Sequence, residues 1–332
     1  MQESSLKISS KNISETLYKY HNELLPEFYE MQSNFLTLRY NWTKNIEVSN
    51  ILTFLVMSTH LSILRKRERN LDYNVSFNNF AFNQNTVMEN GHNIVSIVKS
   101  TGIPKESVRR KVKKLVKNDN INYDKNTKKY FWELKDKKKN NYLSFVESDI
   151  KSLSKFITFV ANFLSLNLKQ EFVEKEIKSN FSFYYYHYYN CQVKWMKMWK
   201  KKIKDLDLIF IAIQALIPTL KSNIKNKKNN DADSENIHLL IGENGLSNTN
   251  IRTISASSIS EISGIPRATC IRKIQKLEKL GMLAREEKTK RYFINQRSSD
   301  RTKHITKKEN IHFTIDCFSD FFSIVLSALA RR

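Results

Sequence analysis

The chain has 332 residues and a mass of 39.2 kDa, with 56 Lys+Arg against 33 Asp+Glu and a formal net charge of +23. Hydrophobic residues make up 40% and aromatic residues 11% of the sequence, which excludes a wholly disordered chain. Only 6 Gly and 4 Pro exclude a collagen-like chain and argue against a loop-rich all-β protein. The length predicts two domains.

Cysteine usage and the first residues of the chain indicate the compartment. Cys191, Cys270 and Cys317 are odd in number and far apart in the sequence, which argues against a disulfide framework and indicates a reducing environment. Residues 1–30 carry charges throughout and show no apolar core of a signal peptide. The longest apolar stretch, 208–220, is too short to span a bilayer. We expect a cytoplasmic protein without a membrane partner.

The basic excess is concentrated in two segments. Residues 94–140 hold 15 basic and 5 acidic residues, and residues 256–310 hold 14 basic and 6 acidic residues. A compositional bias toward Lys across the whole chain would spread the charge, so this clustering favours a surface for a polyanion.

The two basic segments are similar to one another. Residues 94–134 align without gaps to residues 256–296 at an offset of 162, and about a third of the 41 positions are identical. Shared blocks include Gly-Ile-Pro at 102–104 and 264–266, and Arg-Lys at 110–111 and 272–273. This repetition predicts an internally duplicated chain.

The similarity extends outward more weakly. At an offset of 157, Trp42 aligns with Trp199, and the apolar segment 51–64 aligns with 208–221. We predict two units, 1–168 with its core at 94–134 and 169–332 with its core at 256–296. The charged, Asn-rich segments 66–93 and 222–250 differ in length and are predicted to be loops.

Within the repeated core, the second copy predicts a short helix over 257–263 with Ser255 or Ser257 as its N-cap. Gly264 then allows a sharp turn, and Pro266 suits the first turn of a second helix. Apolar residues recur along that second helix at i, i+4 and i+7, as Cys270, Ile274 and Leu277. A short strand, a Lys-rich turn and another strand follow, which is typical of a β-hairpin.

This order of helix, glycine turn, cationic helix and basic hairpin resembles the winged helix-turn-helix DNA-binding domain of IclR-type and MarR-type bacterial transcriptional regulators. The resemblance covers about 41 residues in each copy. It implies a mainly α fold with small β-wings, in which the second helix enters the major groove and the wing contacts the backbone or minor groove. The residues it assigns to DNA binding are Lys105, Glu106, Ser107, Arg109, Arg110, Lys128, Lys129, Arg267, Ala268, Thr269, Arg272, Lys290 and Arg291. The spacing of the buried positions places Lys111, Lys114, Lys273 and Lys276 on the same cationic helix faces, and we expect these lysines to contact DNA as well.

The leading functional prediction is sequence-specific binding of double-stranded DNA by a nucleoid-associated transcriptional regulator. Two alternatives stay open: a plasmid-type replication initiator, which also uses two winged helices, and a structural adaptor built from tandem winged helices. The oligomeric prediction is a pseudo-two-fold monomer or a homodimer. The target sequence and any small-molecule effector are unknown.

Two aromatic segments have a second possible interpretation. The segment 194–202 (KWMKMWKKK) suits a membrane-surface helix, but its Trp and Met side chains share one face, which favours burial. The segment 181–189 (FSFYYYHYY) suits a platform for stacking single-stranded bases, although a core helix is favoured. The seven His show no metal spacing and no catalytic or phosphate-binding motif occurs, so we expect no enzyme activity, metal or cofactor.

Overall fold

A computed structural model describes residues 8–70, 76–83, 91–228, 252–295 and 308–331. This part of the chain is mainly helical, as predicted, with two small antiparallel sheets. Its helices are α1 (Ser10–Lys19), α2 (His21–Thr43), α3 (Ile46–Arg69), α4 (Phe77–Asn83), α5 (Ile94–Thr101), α6 (Lys105–Lys117), α7 (Lys139–Phe163), α8 (Gln170–Ser179), α9 (Phe181–Ile203), α10 (Leu206–Lys228), α11 (Ala256–Ser263), α12 (Arg267–Lys279) and α13 (Lys308–Leu329).

Each sheet is a two-stranded hairpin. Strands β1 (Asn122–Asp124) and β2 (Lys129–Phe131) pair with Tyr123 opposite Tyr130. Strands β3 (Leu283–Arg285) and β4 (Tyr292–Ile294) pair with Ala284 opposite Phe293. Both hairpins follow directly after a 13-residue helix, α6 or α12, as the sequence predicts.

Two series of elements have matching lengths. Helices α1 and α8 both have 10 residues, and α2 and α9 both have 23 residues. The helix starts of these pairs lie 160 residues apart, rather than the 157 expected from the alignment of Trp42 with Trp199. The two lysines that follow α2 and α9, Lys44 and Lys204, both have a left-handed backbone with φ of 56° and 62°. The helix boundaries therefore align the two series of elements at an offset of 160, which the few side chains shared by the two segments did not indicate.

The chain divides into two compact units whose boundaries cut across the two predicted repeat units, 1–168 and 169–332. Unit 1 contains residues 1–15, 47–201 and 316–332, and unit 2 contains residues 16–46 and 202–315. Unit 1 thus joins the first basic core to α9 from the second repeat. Unit 2 joins the second basic core to α2 from the first repeat.

An aromatic cluster forms the core of unit 1. His60 of α3 stacks on Phe80 of α4 with ring centroids 4.6 Å apart, and it meets Phe181 and Tyr185 of α9 edge-on or tilted. The segment 181–189 therefore supplies core side chains, since Phe181, Tyr184, Tyr185, Tyr188 and Tyr189 are buried. The prediction of a loop over 66–93 was wrong in part, because α3 continues to Arg69 and the burial of Phe80 stabilises α4.

Helix α10 forms the centre of unit 2. It packs against α2, α11, α12 and β4. The stretch 208–220 is the buried part of this helix, as its apolar character predicts. A buried hydrogen bond from Ser33 Oγ to Gln214 Oε1, 3.0 Å long, satisfies both polar groups where α2 crosses α10. The prediction of a loop was wrong for residues 222–228, since α10 continues to Lys228, and residues 229–250 lie outside the described residues.

Among the described residues, two helices are long and apolar enough to cross a membrane by length and composition alone. They are α3 and the part of α13 from Glu309 to Leu329. In α3, 72% of the apolar window is buried inside the protein, as in the core helix of a globular domain. These two helices are weak evidence for a membrane protein.

The buried His60 ring predicts acid sensitivity. Burial lowers the pKa of His60 from 6.5 to about 3, because no water reaches the charged form. Below pH 6.5 the unfolded chain binds a proton that the folded chain does not, so the free energy of unfolding falls by about 1.4 kcal/mol per pH unit. We expect His60→Phe to remove this contribution between pH 6.5 and 4 in urea titrations. His21, whose pKa burial lowers to about 4, retains its own contribution in the variant. An unchanged pH dependence in His60→Phe would contradict the burial of a neutral ring.

Candidate nucleic-acid interface

Each basic core forms a motif of two helices and a hairpin. A left-handed glycine separates the two helices, which are α5 and α6 in the first motif and α11 and α12 in the second. Asn93 caps α5 through its side chain, and Ser255 caps α11 in the same way. Gly102 and Gly264 end these helices with φ of 70° and 69°, a conformation that side-chain-bearing residues adopt at a cost. The capped short helix and the glycine together fix the angle at which the second helix leaves.

The second helix of each motif begins directly after a proline. Pro104 precedes α6 and Pro266 precedes α12, each with an extended ψ and with its carbonyl accepting the first helical hydrogen bond. Pro266 is therefore the N-cap residue rather than a member of the first helical turn, one position earlier than expected. The first backbone N–H groups of both helices are left without a side-chain cap, which is the arrangement that binds anions.

The buried and exposed faces of these helices fall where the apolar spacing places them. Val108, Val112 and Leu115 are buried in α6, and Cys270, Ile274 and Leu277 are buried in α12. The opposite faces carry exposed cations, which are Lys105, Arg109, Arg110, Lys113, Lys114 and Lys117 in α6 and Arg267, Arg272, Lys276 and Lys279 in α12. Each motif thus presents one cationic helix face to solvent.

The hairpin turns add further cations. Lys128 and Lys290 are exposed and have left-handed backbones with φ of 55° and 57°, so the two turns share one conformation. In the first turn Asp124 accepts hydrogen bonds from the Asn126 N–H and the Thr127 hydroxyl, which hold the pKa of its carboxyl below its ordinary value. Lys128, Lys290 and Arg291 are exposed as predicted, whereas Lys129 is half-buried.

In unit 1 the hairpin lies close to the second helix. Tyr123 and Tyr130 face each other across the strands with ring centroids 4.7 Å apart. Desolvation and the neighbouring Tyr123 raise the pKa of Tyr130, and the positive charge of Arg109 acts against them. The positive charge of Arg109 in α6 therefore acts on Tyr130 of the hairpin.

Some predicted base-contacting residues already have partners within their own motif. Glu106 pairs with Arg109 at 2.7 Å on the exposed face of α6. Arg267 donates from Nε to the Ser257 hydroxyl at 3.1 Å. Ser107 and Thr269 are half-buried, and Ala268 is exposed. These exposed ion pairs and hydrogen bonds are weak enough for a polyanion to replace them.

Lys111 and Lys273 differ from the other predicted DNA contacts. The Lys111 ammonium lies 3.1 Å from Glu47 of α3, and Lys273 lies 2.9 Å from both Asp205, directly before α10, and Asp207 of α10. The side chains of Lys273 and Asp207 are only 15% exposed. Burial opposes the charge on Lys273, but the two carboxylates outweigh it and raise the pKa of Lys273. We therefore revise the role of Lys111 and Lys273 from phosphate contacts to ion pairs within their units.

A 23-residue helix supports each glycine turn. A Cβ at Gly102 would lie 3.2 Å from Cγ of Lys197 in α9. A Cβ at Gly264 would lie 2.5 Å from Oδ1 of Asn41 in α2, closer than real Cβ contacts. Glycine at both positions thus satisfies a backbone conformation and a close approach at once.

Sequence reasoning missed several cations of this surface. Lys113 and Lys117 continue the exposed row that Arg109 and Arg110 begin, and their i+4 and i+7 spacings from these arginines were the available signal. Lys197 is exposed beside the first glycine turn, although it is distant in sequence. Nothing in the sequence pattern could place α9 there.

Comparison with known proteins gives no further information on this surface. No family model, no curated protein and no solved structure matches the chain. Within the described residues, no group of three or more His, Cys, Asp or Glu side chains is arranged to hold a metal ion.

The half-buried ion pair of unit 1 predicts a stability effect. Glu47 accepts from both Lys111 and Lys200, so Glu47→Gln removes the negative charge that these two partly desolvated ammonium groups share. We expect a loss of about 1–3 kcal/mol, between the values for exposed and fully buried pairs. Glu106→Gln, which removes an exposed carboxylate from the same unit, is the matched control and should change stability by less than about 0.5 kcal/mol. Equal effects of the two variants in thermal and urea unfolding would show that the Glu47 pair is not structural.

Proposed function

We propose that the chain binds double-stranded DNA through two winged helix-turn-helix motifs and acts as a transcriptional regulator. The first motif comprises α5, α6 and the β1–β2 hairpin, and the second comprises α11, α12 and the β3–β4 hairpin. The observation that carries the proposal is the repeated, exposed cationic face on a second helix whose opposite face is buried. A single charged helix face can be explained by contact with solvent alone. Two matching cationic faces, each followed by a hairpin turn of the same conformation, favour a common ligand.

Duplex DNA fits the dimensions and charge of these motifs. An α-helix fits into the major groove, and helices α6 and α12 each carry one face that is free of core contacts. Lys and Arg on that face would neutralise phosphates and release counterions, which supplies affinity without sequence specificity. The uncapped N–H groups at the helix starts would bind a further phosphate.

Sequence specificity would come from the first turn of each second helix. Lys105, Glu106 and Arg109 occupy this turn and its edge in α6, whereas Arg267, Ala268 and the half-buried Ile271 occupy the corresponding positions in α12. Glu106 would accept from a cytosine amino group, whereas Ala268 would contact only a thymine methyl. The shared arginines, Arg110 and Arg272, suit backbone contacts that carry no sequence information.

DNA affinity is expected to depend steeply on salt. If about six phosphates are neutralised, the logarithm of the association constant should fall with the logarithm of salt concentration at a slope near −5. Arg110→Ala and Arg272→Ala should each weaken binding and reduce this slope by about one, because each arginine is exposed and contributes one phosphate contact. Fluorescence anisotropy with a labelled duplex at several salt concentrations measures both quantities.

Lys175→Ala is the matched control, since it removes one exposed positive charge from α8, outside either motif. It should leave affinity and slope unchanged, and all three variants should keep the thermal midpoint of the parent chain. Absence of duplex binding at low salt would overturn the proposed function, and unfolding of Arg272→Ala would show that the helix faces are misassigned.

The two motifs should recognise different half-sites. Because their first turns carry different side chains, each difference is worth about 1–3 kcal/mol of base discrimination, which fixes the orientation of the chain on DNA. Selection from a random duplex pool should therefore recover an asymmetric site. Recovery of a perfect inverted repeat would instead indicate that two chains bind with one motif each.

A further inference from the structure

Unit 1 brings together two cysteines that are 126 residues apart in the sequence. Cys191 of α9 is 4% exposed, and Cys317 of α13 is half-buried. The Cys317 sulfur lies 3.5 Å from the backbone oxygen of Cys191, and the Cys191 thiol donates to the backbone oxygen of Tyr188 at 3.1 Å. Both cysteines are free thiols. The fold thus brings together two cysteines whose separation in the sequence argued against a disulfide framework.

The two thiols differ in reactivity. The neighbouring Cys191 thiol and the Lys194 ammonium lower the pKa of Cys317, although burial acts against them. Burial raises the pKa of Cys191, which keeps it a neutral thiol. A more acidic, more accessible thiol beside a buried one is the arrangement of an attacking cysteine and its resolving partner.

We propose that Cys191 and Cys317 are an oxidisable pair that a peroxide converts to an intramolecular disulfide. The Cys317 thiolate attacks one oxygen of hydrogen peroxide, the O–O bond breaks, and the departing hydroxide takes up a proton to become water. Cys317 is then a sulfenic acid. The Cys191 thiol attacks its sulfur, the S–S bond forms, the S–O bond breaks, and the hydroxyl leaves with the Cys191 proton as a second water. The two sulfurs together lose two electrons, which reduce one peroxide to two waters.

This disulfide would join α9 to α13 within unit 1. Helix α9 also supports the glycine turn at Gly102 through Lys197, and its Lys200 pairs with Glu47. The disulfide therefore restrains a helix that lies beside the first motif. It also closes a long loop, which lowers the conformational entropy of the unfolded chain. The inference goes beyond the proposed function and holds whether or not the chain binds DNA.

Peptide mapping of the whole chain tests the pair. The reduced protein is treated with one molar equivalent of hydrogen peroxide at neutral pH, unfolded, alkylated and digested without reductant. We expect mass spectrometry to find a linked peptide containing Cys191 and Cys317, lighter by two hydrogens than the free pair. Cys270, which is fully buried in α12, is the internal control and should be recovered as an alkylated, unlinked peptide.

A second measurement tests the mechanical consequence. Oxidation should raise the thermal midpoint of unfolding, and dithiothreitol should reverse the rise. Cys317→Ser should show neither the linked peptide nor the rise, and its unchanged midpoint under reducing conditions would show that it folds. The proposal is overturned if Cys317 proceeds to a sulfinic or sulfonic acid while Cys191 stays free, if the disulfide joins two chains, or if the linked protein shows no rise.

Discussion

In each compact unit, a lysine in the middle of α6 or α12, the second helix of the motif, donates to a carboxylate in the first turn of a long core helix. Lys111 pairs with Glu47 at the start of α3, and Lys273 pairs with Asp207 at the start of α10. The carboxylate is favourable there by itself, because the start of a helix carries partial positive charge. With the lysine bound to this carboxylate, the neighbouring arginine of the shared Arg-Lys pair faces solvent, and the helix has one fixed rotation about its axis. The cationic surface of each motif depends on this rotation.

The long helices explain why each basic core belongs to a larger compact unit. Each glycine turn rests on a helix that comes from the other sequence repeat, α9 in unit 1 and α2 in unit 2. The same exchange fills the aromatic core of unit 1, where Phe181 and Tyr185 of α9 surround His60 of α3. Burial of such rings provides much of the stability that a motif of about 41 residues cannot supply alone. A single repeat cut at residue 168 would lose this packing.

Local features were predictable from the sequence, because each depends on side chains close together in the chain. The buried face of α12, the serine cap at Ser255 and the left-handed Gly264 all follow from spacing or from residue chemistry. The placement of α2 in unit 2 and of α9 in unit 1 was not predictable. Two helices of similar length with similar apolar faces cannot be told apart by their sequence patterns. The roles of Lys111 and Lys273 were also missed, since an identical Arg-Lys pair gives no sign of which cation turns inward. The carboxylates that bind them lie more than 60 residues away in the sequence.

The central claim is that both cationic faces bind one duplex, and amide hydrogen exchange tests it most directly. Exchange would be measured on the whole chain with and without a duplex obtained by selection. The salt concentration would be low, and the duplex concentration high enough to saturate the protein. The account predicts slower exchange in both second helices, 105–117 and 267–279, and in both hairpin turns, 125–128 and 286–291. It also predicts unchanged exchange in α8, which lies outside the motifs. Protection confined to α8 or to other segments, with both second helices unchanged in the bound state, would contradict it.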